Sequence, residues 1–157
     1  MARIVERTMI LDAAPERVFD AVTRPAVLTH IAAPLVRFAP VDPPHWPDRF
    51  ATGPHLVSMR LFGHLPLGRQ VIDVSYPETP PDTYIVRDNG HSALIARWDH
   101  WITIQATGDG GAHYTDRVEI EAGWRTAPVA WFATAFYAHR QKRLRRLAVV
   151  AFDLSRV

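Results

Sequence analysis

Apolar and polar residues alternate along most of this chain and then, over its last fifth, recur at helical spacing. Arg3 to Leu11 alternates at period two, with Val5, Met9 and Leu11 on one side and Ile4 and Ile10 on the other, which predicts a strand. The period changes at Asp12-Ala13-Ala14-Pro15-Glu16. Pro15 suits a first helical turn, and Val18, Phe19 and Val22 form an apolar stripe. Pro25 opens a second short helix to about Ile31, and Pro34 closes it. Further strands are predicted over Leu35–Val41, His55–Phe62, Leu67–Tyr76, Thr83–Arg87, Ala93–Gln105 and His113–Ala122. Asn89-Gly90, within Asp88–His91, is a strong hairpin signal and places a tight turn after the fifth strand. Thr107–Gly111 supplies the next turn. Asp42–Pro54 holds too much proline and glycine for regular structure, yet it carries His45, Trp46 and Phe50. It reads either as a lid over a pocket or as a loop whose aromatics plug the edge of the core.

From Thr126 to Phe152, Val129, Phe132, Phe136, Leu144, Leu147 and Ala151 fall on one face of a long helix. That face has to be buried, and the concave side of a curved sheet offers the surface. A sheet gripping one helix leaves a hollow, and a mostly apolar hollow with a few polar groups binds small molecules.

Composition narrows the class. At 157 residues the chain reads as a single domain over 1–157, long enough for a substantial core. No apolar run approaches the roughly 20 residues that cross a bilayer, and the N-terminus has a strand pattern, not a signal-peptide pattern. With no cysteine there is no disulfide framework, thiolate nucleophile or cysteine-based zinc site, and a cytoplasmic location is the expectation. Net charge is only +2. The basic run Arg140, Lys142, Arg143, Arg145 and Arg146 reads as the solvated side of the long helix, with cations favourably placed toward its C-terminal end. The alternative is an interaction module for nucleic acid or anionic lipid. No aromatics interleave to stack bases, so nucleic acid is not an expected partner. A homodimer is allowed, but nothing in the chain predicts it.

The eight histidines show no His-x-His or HExxH spacing, so no metal site is expected. A phosphate-cradling loop, a dinucleotide fingerprint and a nucleophile elbow are also missing from the sequence, and no cofactor is expected. Alternation places Leu94, Ala96, Trp98, His100, Ile102 and Ile104 on the concave face of the long strand, and Tyr114, Asp116, Val118, Ile120 and Ala122 on that of the last. The hairpin then brings His100 near Asp116 or Val118. A carboxylate beside an imidazole fixes its tautomer and raises its basicity, so the pair reads as a general base, with Tyr114 or Tyr76 polarising a carbonyl. The structural reading, a buried histidine satisfied by a carboxylate that holds the hairpin together, is the favoured one, because buried polar groups must be paired whether or not they catalyse anything. Met59, Leu61, Ile72, Tyr76, Trp98, Ile102 and Phe136 are the expected ligand-binding side chains. Arg87, if it points inward with Ile85, anchors a ligand carboxylate or phosphate. Tyr137 falls near the apolar boundary of the long helix and His139 at its surface.

Two segments carry a family resemblance: MILDAAPERVFDAVTRP at positions 9 to 25, where a strand runs into a helix, and FYAHRQKRLRRL from Phe136. With the order strand, two short helices, six strands and long helix, the chain resembles the SRPBCC superfamily. That superfamily includes the birch-pollen allergen, START-type lipid-transfer domains and polyketide cyclase/dehydrase-like proteins. The resemblance implies an α+β helix-grip fold, a curved antiparallel seven-strand sheet wrapped around a long C-terminal helix, with two short helices after the first strand. It also implies a small hydrophobic ligand, lipid-like or aromatic and polyketide-like, in a cavity between sheet and helix. The alternative it carries is a cofactor-independent cyclase or dehydratase using His100 and Asp116. Fold alone does not choose between them.

Overall fold

The computed structural model describes residues 1–157. Its elements are β1 (Arg3–Leu11), α1 (Pro15–Val22), α2 (Pro25–Ala32), β2 (Val36–Asp42), β3 (Gly53–Leu61), β4 (Leu65–Ser75), β5 (Thr83–Ser92), β6 (Arg97–Ala106), β7 (Ala112–Glu121) and α3 (Thr126–Val149). The strands form one antiparallel sheet in the order β1-β7-β6-β5-β4-β3-β2. Period-two patterning decides which side each strand shows to the helix. On β7, Ala112, Tyr114, Asp116, Val118 and Ile120 are buried, and on β1 Met9 and Leu11 are buried while Ile4 and Ile10 face out. The sheet grips α3, whose buried side chains include Ala133, Phe136, Tyr137, Leu144 and Leu147. In α1, Pro15 stands in the first turn and Val18, Ala21 and Val22 point to the core, with Phe19 against Tyr76 and Tyr84. No helix is long and apolar enough to cross a membrane.

Four sequence expectations are corrected. The first concerns Asn89-Gly90, which forms no turn: β5 runs through it, pairing Asn89 with Asp99 and Gly90 with Trp98. The reversal falls later, at 93–96, where Ser92 Oγ accepts the backbone N–H groups of Leu94 and Ile95. β6 therefore starts at Arg97, and Leu94 sits in the turn with half its surface exposed. Gly90 serves a different need. A Cβ there would lie 2.8 Å from the Val71 carbonyl oxygen and 3.0 Å from Asp88 Oδ1, so the strand requires glycine for space.

The second correction is the end of α3. Ala151 and Phe152 take positive φ, the helix stops at Val149, and Phe152 turns back into the core while Ala151 is exposed. The third is the basic run. Lys142, Arg145 and Arg146 are exposed, but Arg140 is buried with only 7% of its surface exposed, and half-buried Arg143 donates to the His30 carbonyl at 3.0 Å. The fourth is His139, which is half-buried with Nε2 2.7 Å from the Ala33 carbonyl oxygen. In the loop before β3, Phe50 is buried in the core, its N–H bonded to the Thr23 carbonyl at 2.9 Å and its ring edge-on to Trp46. That loop plugs the core edge.

Candidate ligand-binding site

Between the concave face and α3 lies a cavity of about 500 Å³, lined mostly by hydrophobic side chains. That volume is within the range of small-molecule sites. Met59, Leu61, Ile72, Trp98, Ile102 and Phe136 line it, and so does His100. Four other expected site residues stand elsewhere. Tyr76, just past the end of β4, belongs to the core beside α1, where its hydroxyl donates to the Phe50 carbonyl at 2.6 Å. Arg87 points outward, because Val86 and Asp88 are the residues of β5 that face the cavity. On the outer face it donates to both oxygens of Asp99, at 2.8 and 3.0 Å, and lies over the Trp101 ring. Tyr114 and Asp116 lie fully buried outside the cavity lining.

Register explains how these groups meet. His100 pairs with Val118 and Ile102 with Asp116, so His100 and Asp116 are diagonal neighbours on one face. Asp116, 1% exposed, is the acceptor at the centre of a network. Its Oδ1 accepts from His100 Nε2 at 2.8 Å and from the Tyr114 hydroxyl at 3.1 Å, while Oδ2 accepts from Gln141 Nε2 at 2.9 Å. The Gln141 amide also donates to the Arg7 carbonyl at 3.0 Å, tying α3 to β1. Burial disfavours ionisation of Asp116, but the hydrogen bonds from His100 and Gln141 and the charge of Arg140 outweigh it and hold the carboxyl below its ordinary value. Burial lowers the His100 pKa against the opposing pull of Asp116, so the ring is neutral at pH 7. An ionised carboxylate only accepts, which puts the single imidazole proton on Nε2 and leaves a lone pair on Nδ1. Because the Tyr114 hydroxyl is committed to Asp116, it is not free to polarise a carbonyl.

The cavity also has a polar end that sequence patterning did not single out: Gln70, Asp88, Tyr137 and Arg140 line it with His100. Asp88 Oδ1 accepts the Asp73 backbone N–H at 2.9 Å. Burial pushes the Asp88 carboxyl up to about 7, against that hydrogen bond and the charge of Arg140. The Arg140 guanidinium lies over the rings of Tyr137 (5.1 Å) and Phe136 (5.7 Å). Its Nε and the Tyr137 hydroxyl are enclosed without a hydrogen-bond partner. Nowhere do three or more His, Asp or Glu side chains converge as a metal site.

A curved seven-strand sheet closed on one long helix around a mostly apolar cavity is a helix-grip fold. Solved structures show the same fold. The Zhui aromatase/cyclase from Streptomyces sp. R1128 matches 99% of this chain and 98% of its own at 9% identity, TM-score 0.63. Truncated norcoclaurine synthase from Thalictrum flavum matches 94% of this chain and 93% of its own at 8% identity, TM-score 0.61. Protein CV1439 from Chromobacterium violaceum matches 92% of this chain and 96% of its own at 19% identity, TM-score 0.60. At these identities the likeness is one of fold. No curated protein matches the sequence. The chain belongs to the family described as Domain of unknown function (DUF8410), which matches residues 9–148.

Proposed function

We propose that this protein, acting as one helix-grip domain over 1–157, binds a small hydrophobic molecule between its sheet and α3. The ligand is lipid-like or aromatic and polyketide-like. One observation carries the proposal: an apolar-walled cavity of about 500 Å³ stands where a close-packed core would otherwise fill the space. Transfer of apolar ligand surface from water, at ~25 cal/mol per Å², supplies the driving force. Isothermal titration with decan-1-ol tests it. Wild-type protein is expected to bind the alcohol, and Met59→Trp, which adds bulk at the half-buried cavity wall, to weaken binding at least about tenfold. Absence of binding by both decan-1-ol and decanoate, or equal binding by the variant, overturns the proposal.

His100 favours a second reading, a cofactor-independent cyclase or dehydratase-like enzyme. A neutral imidazole on the cavity wall, backed by a buried carboxylate, is equipped to take a proton from a carbon acid at Nδ1 while Asp116 stabilises the resulting imidazolium. In this reading His100 is the catalytic base and Asp116 positions it. Exchange of the acidic C–H protons of benzoylacetone into deuterated water, followed by NMR, reports the step. Wild type is expected to accelerate exchange, and His100→Ala to lose about 100-fold or more of that acceleration. Equal rates with the two proteins remove the role.

A further inference from the structure

We infer that the cavity's ligand is an apolar organic acid whose carboxylate is held by Arg140. This rests on the cavity-binding reading above and gives that site its ligand class. Arg140 projects from α3 into the polar end of the cavity, with 93% of its surface covered. A guanidinium carries five N–H donors, and the protein supplies none of them with an acceptor: Arg140 makes no ion pair and no hydrogen bond, and its Nε is sealed in without a partner. One helical turn earlier the Tyr137 hydroxyl, also buried, has no partner either.

Neighbouring carboxylates do not fill this vacancy. Asp116 is already engaged by His100, Tyr114 and Gln141. Asp88 turns one oxygen to the Asp73 N–H, and neither carboxylate comes within ion-pairing distance of Arg140, although their charges favour its ionised form. Only Nε is sealed; the two terminal amino groups of the guanidinium keep access to the cavity and can be hydrated from it. A molecule that fills the apolar part displaces that water. A neutral hydrocarbon then leaves a bare buried cation, which is costly. A carboxylate instead replaces the water with charge-assisted, bidentate hydrogen bonds that match the planar fork. One negative charge is the right number. A phosphate dianion sets a second negative charge near Asp116, which is already ionised, and near Asp88, whose carboxyl burial pushes up to about 7.

The test is a matched pair of probes of equal chain length, decanoate and decan-1-ol, titrated at pH 7. Wild type is expected to bind decanoate at least about tenfold more tightly, and Arg140→Met to reverse the order, because the carboxylate then enters an apolar site unpaired. Should Arg140→Met fail to fold, the side-chain Nε–H resonance of Arg140 in wild type gives the same information. It is expected to shift with decanoate and not with decan-1-ol. Decan-1-ol binding as tightly as decanoate, or an Arg140 resonance indifferent to decanoate, overturns the carboxylate assignment and leaves the cavity proposal standing. Failure of both probes to bind overturns the two together.

Discussion

Replacing Asp116 with alanine is expected to lower the melting temperature by on the order of 10 °C, the loss of about 3–5 kcal/mol that follows from breaking a buried charge-assisted network. The carboxylate receives hydrogen bonds from β6, from its own strand and from α3, and removing it strands three buried donors at once: His100 Nε2, the Tyr114 hydroxyl and one N–H of Gln141. The sign with pH follows from the shifts. The folded state holds Asp116 below its ordinary value of 3.8, so its contribution is complete above that value and drains away as pH falls below it. The folded His100 pKa lies below 6.5, so from pH 6.5 downward the unfolded chain takes up a proton that the folded ring refuses, and stability falls again. Between about pH 7 and 3.8 the raised Asp88 carboxyl takes up its proton first in the folded state and opposes the His100 loss. Below about 3.8 nothing offsets Asp116, and wild type is expected to lose stability on further acidification, with the variant showing a shallower limb there. Thermal melts across that range decide the matter. A shift under about 2 °C at pH 7 shows that the network relaxes around the missing carboxylate.

Gly90→Val is expected to destabilise the protein by about 3 kcal/mol, and Gly90→Ala in the same direction by less. Alanine in place of an interior strand glycine ordinarily gains stability, because glycine loses more backbone freedom on folding. Here the sign reverses, since the first added carbon meets backbone at 2.8 Å and the Asp88 carboxylate at 3.0 Å. Denaturant melts of the two variants measure it. A Gly90→Ala protein more stable than wild type shows that β4 and β5 separate at no cost.

The same glycine marks where the sequence stopped being legible. Asn-Gly is a turn signal because both residues tolerate positive φ, but Gly90 keeps an extended conformation and is selected for the closeness of Val71. Local chemistry cannot distinguish these two uses of glycine. The misplaced turn also hid Asp88, which became a loop residue on paper and is a cavity residue in the fold. Elsewhere alternation worked well, since the period-two pattern of β6 and β7 is long enough to fix which side chains share a face, and His100 and Asp116 follow from it. Arg87 failed for the opposite reason: a short, weakly patterned strand left its parity open, and an outer-face carboxylate at Asp99 captured it. Arg140 was recoverable. It lies four residues after Phe136 and four before Leu144, on the helix's own buried stripe, but its charge drew it into the basic run beside it. Position on the helix, and not residue type, was the sounder guide.

The anchoring of α3 is lopsided. Its long-range side-chain hydrogen bonds come from His139, Gln141 and Arg143, reaching Ala33, Arg7 with Asp116, and His30, while at its start Thr126 bonds only the adjoining Ala122 N–H and Gly123 carbonyl. The half that carries Ala130, Ala133 and Phe136 is held by apolar packing, and it borders the cavity next to the exposed Trp124. Apolar contacts slide at little cost, whereas a hydrogen bond lost from a buried group is paid in full. The helix is thus tied across the fold by hydrogen bonds over its C-terminal half and by apolar packing over the half that borders the cavity. The lining carries a cation at each end, half-buried Arg125 over the exposed Trp124 ring and buried Arg140 beside His100.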